Sequence, residues 1–162
     1  MRRVFLSMAT ALALFAVGCE DDFTPSATLQ EKFSNAYPTA VDVEWEREHG
    51  HRVAEFKIPG VSNECEAWYT KSGEWVLTEF KISYDELPQA VQTSFESGFG
   101  ATTPVDSVYH VVRNNESDLY TIECEIVVNG LYDDIFLSYS ADGTLVREWI
   151  EVENEDYLYY WL

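Results

Sequence analysis

Glu64-Cys65-Glu66-Ala67-Trp68-Tyr69-Thr70-Lys71-Ser72-Gly73-Glu74-Trp75-Val76-Leu77-Thr78-Glu79-Phe80-Lys81-Ile82 is two runs of alternating character joined at Ser72-Gly73. A period of two is that of a strand with one face buried. Cys65, Ala67 and Tyr69 then share one face, and Glu66, Trp68 and Thr70 the other. In the second arm Val76, Phe80 and Ile82 fall on the inner side, and Leu77, Glu79 and Lys81 on the outer. The same pattern returns in Asp134–Val152 around Asp142-Gly143, at an offset of about 70 residues. Recurrence at such a period predicts a duplicated supersecondary unit.

Outward from the first hairpin, each copy reads as a helix and four strands. Thr28-Leu29-Gln30-Glu31 has capping-box spacing. Leu29, Phe33 and Tyr37 form a helical stripe that Pro38 ends. Val41, Val43 and Trp45 alternate with acids, and Ala54, Phe56 and Ile58 follow after a turn at Glu48-His49-Gly50-His51. In the second copy Leu87, Val91, Phe95 and Phe99 recur every four residues, with Pro88 at the start and Gly98 or Gly100 at the stop. Val105, Tyr109 and Val111 are expected inward on the next strand. Tyr120, Ile122, Cys124 and Ile126 follow, then Asn129-Gly130 as a turn, then Ile135, Leu137 and Tyr139, and finally Val146, Ile150 and Val152. The expected fold class is α+β, a tandem repeat of helix plus four-stranded antiparallel sheet. Residues 28–82 would form the first unit and 83–152 the second. The aromatic tail 153–162 either packs on the domain or serves as a docking peptide.

The start of the chain reads as an export signal. Met1-Arg2-Arg3 is basic, and residues 4–17 are almost wholly apolar, too short a run to span a bilayer. Ala16-Val17-Gly18-Cys19 resembles a lipobox, which makes 1–18 a lipoprotein signal peptide and Cys19 the lipidated residue. Residues 19–27 form an acidic tether opening on Glu20-Asp21-Asp22. The implied location is the outer membrane, facing the periplasm or the cell surface, with membrane contact through the lipid only.

The 162-residue chain carries 10 Lys and Arg against 29 Asp and Glu. Loss of Arg2 and Arg3 with the signal leaves 8 against 29, or −21. This excess argues against nucleic acid, whose phosphates require basic residues. The chain is 15% aromatic, unlike disordered acidic chains.

With the helices on one side of the sheet, the other face carries Glu44, Glu46, Glu55, Glu66, Trp68 and Glu79. The second copy adds Val108, His110, Val112, Thr121, Glu123, Glu125, Phe136, Arg147 and Trp149. Three large aromatics among acids point to a protein-binding surface, unless they pair across strands and only stabilise the sheet. Trp68, Phe136, Trp149, Glu66 and Glu79 are the candidate partner-binding set, for a partner not identified. Cys65 and Cys124 are the pair available for a disulfide, or two buried thiols. Of the three histidines His49, His51 and His110, His49-Gly50-His51 could hold a metal only with ligands from elsewhere, and it sits in a hairpin turn. No nucleophile elbow, phosphate loop or zinc motif occurs, so neither a metal, a cofactor nor an enzyme is expected.

Several stretches carry a family resemblance. Phe33-Ser34-Asn35-Ala36-Tyr37-Pro38, Val43-Glu44-Trp45, Glu66-Ala67-Trp68-Tyr69, Gly73-Glu74-Trp75 and Tyr84-Asp85-Glu86-Leu87-Pro88 look like the PepSY-like, β-lactamase-inhibitor-like proteins exported by bacteria. The resemblance spans 28–152 and is weaker in the second copy, where Gly98-Phe99-Gly100 replaces Tyr-Pro and Tyr109 replaces Trp. It implies tandem helix-plus-sheet domains and a non-enzymatic, protein-binding role, with a sheet face that grips a target enzyme.

Overall fold

The computed structural model describes residues 23–128 and 131–150. The lipobox with Cys19, the Asn129-Gly130 turn, Val152 and the aromatic tail lie outside these residues.

The chain runs α1 (Ala27–Ala36), β1 (Val41–Glu46), β2 (Arg52–Ile58), β3 (Ser62–Tyr69), β4 (Trp75–Lys81), a 3₁₀ turn (Tyr84–Glu86), α2 (Gln89–Phe99), β5 (Val105–Arg113), β6 (Leu119–Val128), β7 (Leu131–Ser140) and β8 (Leu145–Ile150). All eight strands form one antiparallel sheet in sequence order. The expectation of two four-stranded sheets in tandem is therefore overturned. β4 pairs directly with β5 over five positions, from Leu77↔Arg113 to Lys81↔Tyr109. This pairing closes what would otherwise be two open edges in the middle of the molecule, and unpaired edges are a liability that folds remove.

Both helices pack on the same face of the sheet. Leu29 and Phe33 of α1 bury against Ala54, Phe56, Cys65, Ala67 and Tyr69. Val91 and Phe95 of α2, with Leu87 just before it, bury against Val108, Ile122, Cys124, Ile135 and Leu137. The N-cap of α1 is Ser26, whose Oγ accepts from Leu29 N at 3.2 Å. The expected box at Thr28 is thus displaced by two residues. Ahead of α2, Glu86 accepts from both Ser83 N (2.7 Å) and Ser83 Oγ (2.8 Å). Gly100 ends α2 at φ 96, a conformation suited to glycine. A buried polar knot ties α1 to β4: Tyr37 Oη and Trp75 Nε1 both meet Thr78 Oγ1, at 2.5 and 2.9 Å.

Bulges set which residues face the helices. In β1 the register shifts by one residue after Val41, and Asp42 has φ 52. Val41, expected in the core, is thereby turned away from the helices; Val43, expected there too, is also exposed, and of the three only Trp45 packs on α1's cluster. In β5 the shift falls between Val105 and Ser107. One extra residue reverses the alternation beyond it. Val108, His110 and Val112 thus face the helices, and Tyr109 and Val111 face away, the reverse of the expected phase. The hairpins at Gly73 and Gly143 share one turn geometry, with Thr70 N donating to Glu74 O and Ser140 N to Thr144 O. Each is followed by a bulge, at Val76 and at Val146. Val76 joins the cluster on the helix-free side and Val146 is 56% exposed, so neither enters the helical core as expected.

Cys65 and Cys124 are both free thiols and both buried. They belong to different clusters, one under each helix. β3 and β6 are three strand spacings apart, about 14 Å, twice what a disulfide spans. The disulfide alternative is excluded on that geometry.

Candidate functional site

The face of the sheet away from the helices holds the predicted set. Register fixes the placement of each residue. Glu66 pairs with Glu55 and Glu79, Trp68 with Val53 and Leu77, and Phe136 with Glu123 and Trp149. The five residues do share one face. They are not, however, a set of exposed anchors.

The centre of this face is a third apolar cluster of Val53, Trp68, Leu77, Val111 and Leu119, with Val76 and Tyr109 against it. No described helix contributes to it. Trp68 and Val53 have no exposed surface, and Phe136 is 1% exposed. Two expected anchors are therefore floor, not rim. Trp149 is half-buried and stacks on Phe136 at 5.3 Å and 7°. Cross-strand pairing of this kind stabilises a sheet. His51, from the β1–β2 turn, lies over Trp68 at 6.0 Å. Thr121 and Ser138, buried beside the floor, hydrogen-bond each other at 3.2 Å.

The acids are the other component. Glu44 and Glu55 are exposed, Glu46 and Glu66 half-buried, and Glu79 is 3% exposed. Trp68 Nε1 donates to Glu66 Oε2 at 3.2 Å. Burial, then the neighbouring Glu55 charge, pushes the Glu66 carboxyl up to about 7. Burial also holds Glu79 well above the usual carboxylate range, reinforced by Glu66 and Glu48. Removing a carboxylate from water disfavours its charged form, and like charges nearby add to the effect. Glu79 Oε1 has no hydrogen-bond partner among the described residues. On the rim, Asp42 is paired with Lys57 at 3.0 Å and Glu64 with Lys81 at 2.9 Å.

His110, expected on this face, lies on the other, stacked on Tyr120 at 4.8 Å with Nε2 2.9 Å from Asp118. Among the described residues no three carboxyl, imidazole or thiol groups are placed to hold a metal ion. None of the described helices is long and apolar enough to cross a membrane.

A family model described as "Putative beta-lactamase-inhibitor-like, PepSY-like" matches residues 59–147. The match covers more than half of the chain and runs from the β2–β3 loop into β8. The chain belongs to the PepSY-like family. The matched segment is narrower than the 28–152 that carry the resembling motifs, and it leaves out α1, β1 and β2. Solved structures agree on the fold. A BLIP-like protein from Bacteroides fragilis has a TM-score of 0.70 and 28% identity, covering 83% of this chain and 92% of that one. A protein from Bacteroides ovatus has a TM-score of 0.69 and 27% identity, covering 79% and 89%. One from Bacteroides eggerthii, described as a "putative periplasmic" protein, has a TM-score of 0.70 at 21% identity, covering 79% and 90%. No curated protein matches the chain. A β-lactamase-inhibitor-like description is of a non-catalytic type, and the single eight-stranded sheet with two helices is the architecture this PepSY-like chain shares with its BLIP-like relative.

Proposed function

We propose that this PepSY-like chain is an exported, lipid-anchored, non-enzymatic binding module of the cell envelope, inhibitor-like toward a protease or other envelope enzyme. The observation that carries this reading is the helix-free face: a buried apolar floor of Trp68, Leu77 and Val111 bordered by the exposed carboxylates of Glu44 and Glu55. A sheet face that no described helix covers is preformed by its strands, which lowers the ordering cost of binding. The inhibitor-like element follows the family description. The anchor follows Ala16-Val17-Gly18-Cys19, with Cys19 as the lipidated residue and the outer membrane as the destination.

The test is affinity capture from envelope extract with residues 20–162 as bait, followed by hydrogen exchange on the captured complex. Docking on the helix-free face protects peptides of β1–β4 and leaves those of α1 and α2 unchanged. The anchor is checked separately by labelled palmitate, which Cys19→Ala abolishes.

A second reading has one observation behind it. Trp68, Leu77, Val111, Leu119 and Phe136 are at most 3% exposed. A structural or envelope-stress protein whose sheet face closes on itself would also bury them. Under that reading capture returns no specific partner.

A further inference from the structure

The β3–β4 hairpin lies less tightly on α1 than the β7–β8 hairpin does on α2. Gly143 of the β7–β8 turn is in close contact with the α2 backbone at Ala90. Gly73, at the same place in the β3–β4 turn, has no described atom nearer to where a Cβ would lie than Leu29 Cδ1, at 3.8 Å. Lys32 of α1 spans the gap, donating from Nζ to Gly73 O at 2.7 Å and pairing with Glu74 at 3.6 Å. Beside that span, between the C-terminal half of α1 and the hairpin, a cleft of about 420 Å³ opens on the helix side of the sheet. Its size is within the range of small-molecule pockets.

The polar atoms of the lining side chains are spent on one another or on the wall behind them, with one exception. Tyr37 Oη and Trp75 Nε1, in the aromatic walls, both meet Thr78 Oγ1. Lys32 and Glu74 neutralise each other at the mouth, both well exposed to solvent. Tyr69 is the exception. It lines the cleft and is 2% exposed, yet its hydroxyl makes no hydrogen bond with a described residue. Burial, then the neighbouring Tyr37, raises the pKa of this hydroxyl, and no hydrogen bond offsets them. A buried hydroxyl without a partner carries its desolvation cost uncompensated, and a group that pairs with it recovers that cost.

We propose that this cleft is a binding site for a small neutral phenol, its ring against Tyr37 and Trp75 and its hydroxyl paired with Tyr69 Oη. Aromatic walls select a flat ring, which they meet by offset or edge-to-face packing. One unspent hydroxyl selects a ligand with one polar atom, because a sugar would bury further hydroxyls with nothing to pair with them. Mutual neutralisation of Lys32 and Glu74 leaves no net charge to draw an ion. The Lys32 span bounds the cleft on one side, where a separate cleft begins, so the space suits a free single-ring molecule. The site is on the opposite side of the sheet from the helix-free face and does not depend on a partner docking there.

The experiment is an NMR titration of residues 20–162 with p-cresol, read at the Trp75 indole N–H and the amides of Gly73 and Glu74. Toluene, which has the ring without the hydroxyl, cyclohexanol, which has the hydroxyl without the aromatic ring, and acetyl-tyrosine amide are parallel arms. Saturable shifts confined to α1 and the β3–β4 hairpin, with p-cresol bound at least ~3-fold tighter than toluene or cyclohexanol, support the site. Tyr69→Phe then brings p-cresol down to the toluene level. Tyr139→Phe, equally buried under the tighter hairpin, leaves it unchanged. Ala36→Phe, at the exposed edge of the cleft, fills the space and abolishes binding without touching a buried residue. The site is overturned by shifts that are absent, do not saturate or centre elsewhere, by equal binding of p-cresol and toluene, or by undiminished binding to Tyr69→Phe or Ala36→Phe. Tighter binding of acetyl-tyrosine amide than of p-cresol overturns the free phenol in favour of a tyrosine side chain.

Discussion

Gly143 in the β7–β8 turn packs against the carbonyl of Ala90 in α2. A Cβ at that position would lie 2.5 Å from Ala90 O and 2.7 Å from Ser94 Oγ, and the residue's φ is +85°. The turn is thereby fastened to the helix, which lets α2 sit low on the sheet over Ile122 and Leu137. Gly143→Ala combines a left-handed backbone penalty with a collision against backbone. The expected loss is roughly 2–5 kcal/mol. Gly60 is the control, with φ +77° and nothing within 4 Å of where a Cβ would lie. Gly60→Ala is expected to lose only about 1–2 kcal/mol. Urea midpoints of the two variants check the contrast.

The buried acids make stability fall as pH rises. Glu66 titrates at about 7 in the fold against an ordinary value of 4.5. The folded state therefore keeps a proton that the unfolded chain has released. Its contribution is fully present below about 4.5 and is lost between there and about 7, on the order of 3 kcal/mol. Glu79, also held well above its ordinary value by burial, adds a loss of the same sign as pH rises. Glu79→Gln is expected to flatten the profile and to be more stable than the parent at pH ~8. Equilibrium unfolding at several pH values measures both effects.

Trp68 is a core residue of the helix-free face. Trp68→Ala is expected to cost about 3–5 kcal/mol. In the intact protein its indole should be shielded from iodide and acrylamide, while the half-buried Trp149 is partly quenched. Variants that keep only Trp68 or only Trp149, with the other four of the chain's five tryptophans changed to Phe, separate the two.

The two thiols should behave independently. Residues 20–162 are expected to show almost no fast thiol reactivity when folded and two reactive thiols in denaturant, with or without prior reduction. Burial raises both, Cys124 to about 11, which keeps them protonated and inert. Reductant should not change the melting temperature.

What the sequence made legible followed from uninterrupted alternation. β2, β6 and β7 carry no extra residue, and β3 has its one only between Ser62 and Cys65; Ala54, Phe56, Cys65, Ala67, Ile122, Leu137 and Tyr139 all face the helices as their period requires. The errors cluster where one extra residue enters a strand. Nothing in Val105-Asp106-Ser107-Val108 marks the register shift that reverses Tyr109 and His110. The positive φ at Asp42 is visible only in hindsight, as an acidic residue tolerant of that conformation. Continuity of the sheet across β4 and β5 was hidden for another reason: 23 residues of loop and helix separate them. A pairing of that separation leaves no local signature. The candidate face was legible as a set of neighbours, because period two fixes sides. Its depth was not. Whether Trp68 stands proud or forms the floor depends on surrounding side chains from several strands, and alternation does not report it.

Docking of a protein partner on the helix-free face can be tested by capture from envelope extract with three baits of residues 20–162. These are wild type, Glu44→Lys/Glu55→Lys on the face, and Glu31→Lys/Glu96→Lys on the helices. All four glutamates are exposed in the wild-type fold, so their replacement should leave folding intact. One partner should be held by wild type and by the helix variant and lost from the face variant. Equal retention by all three, loss only from the helix variant, or no partner with any bait would contradict docking on this face.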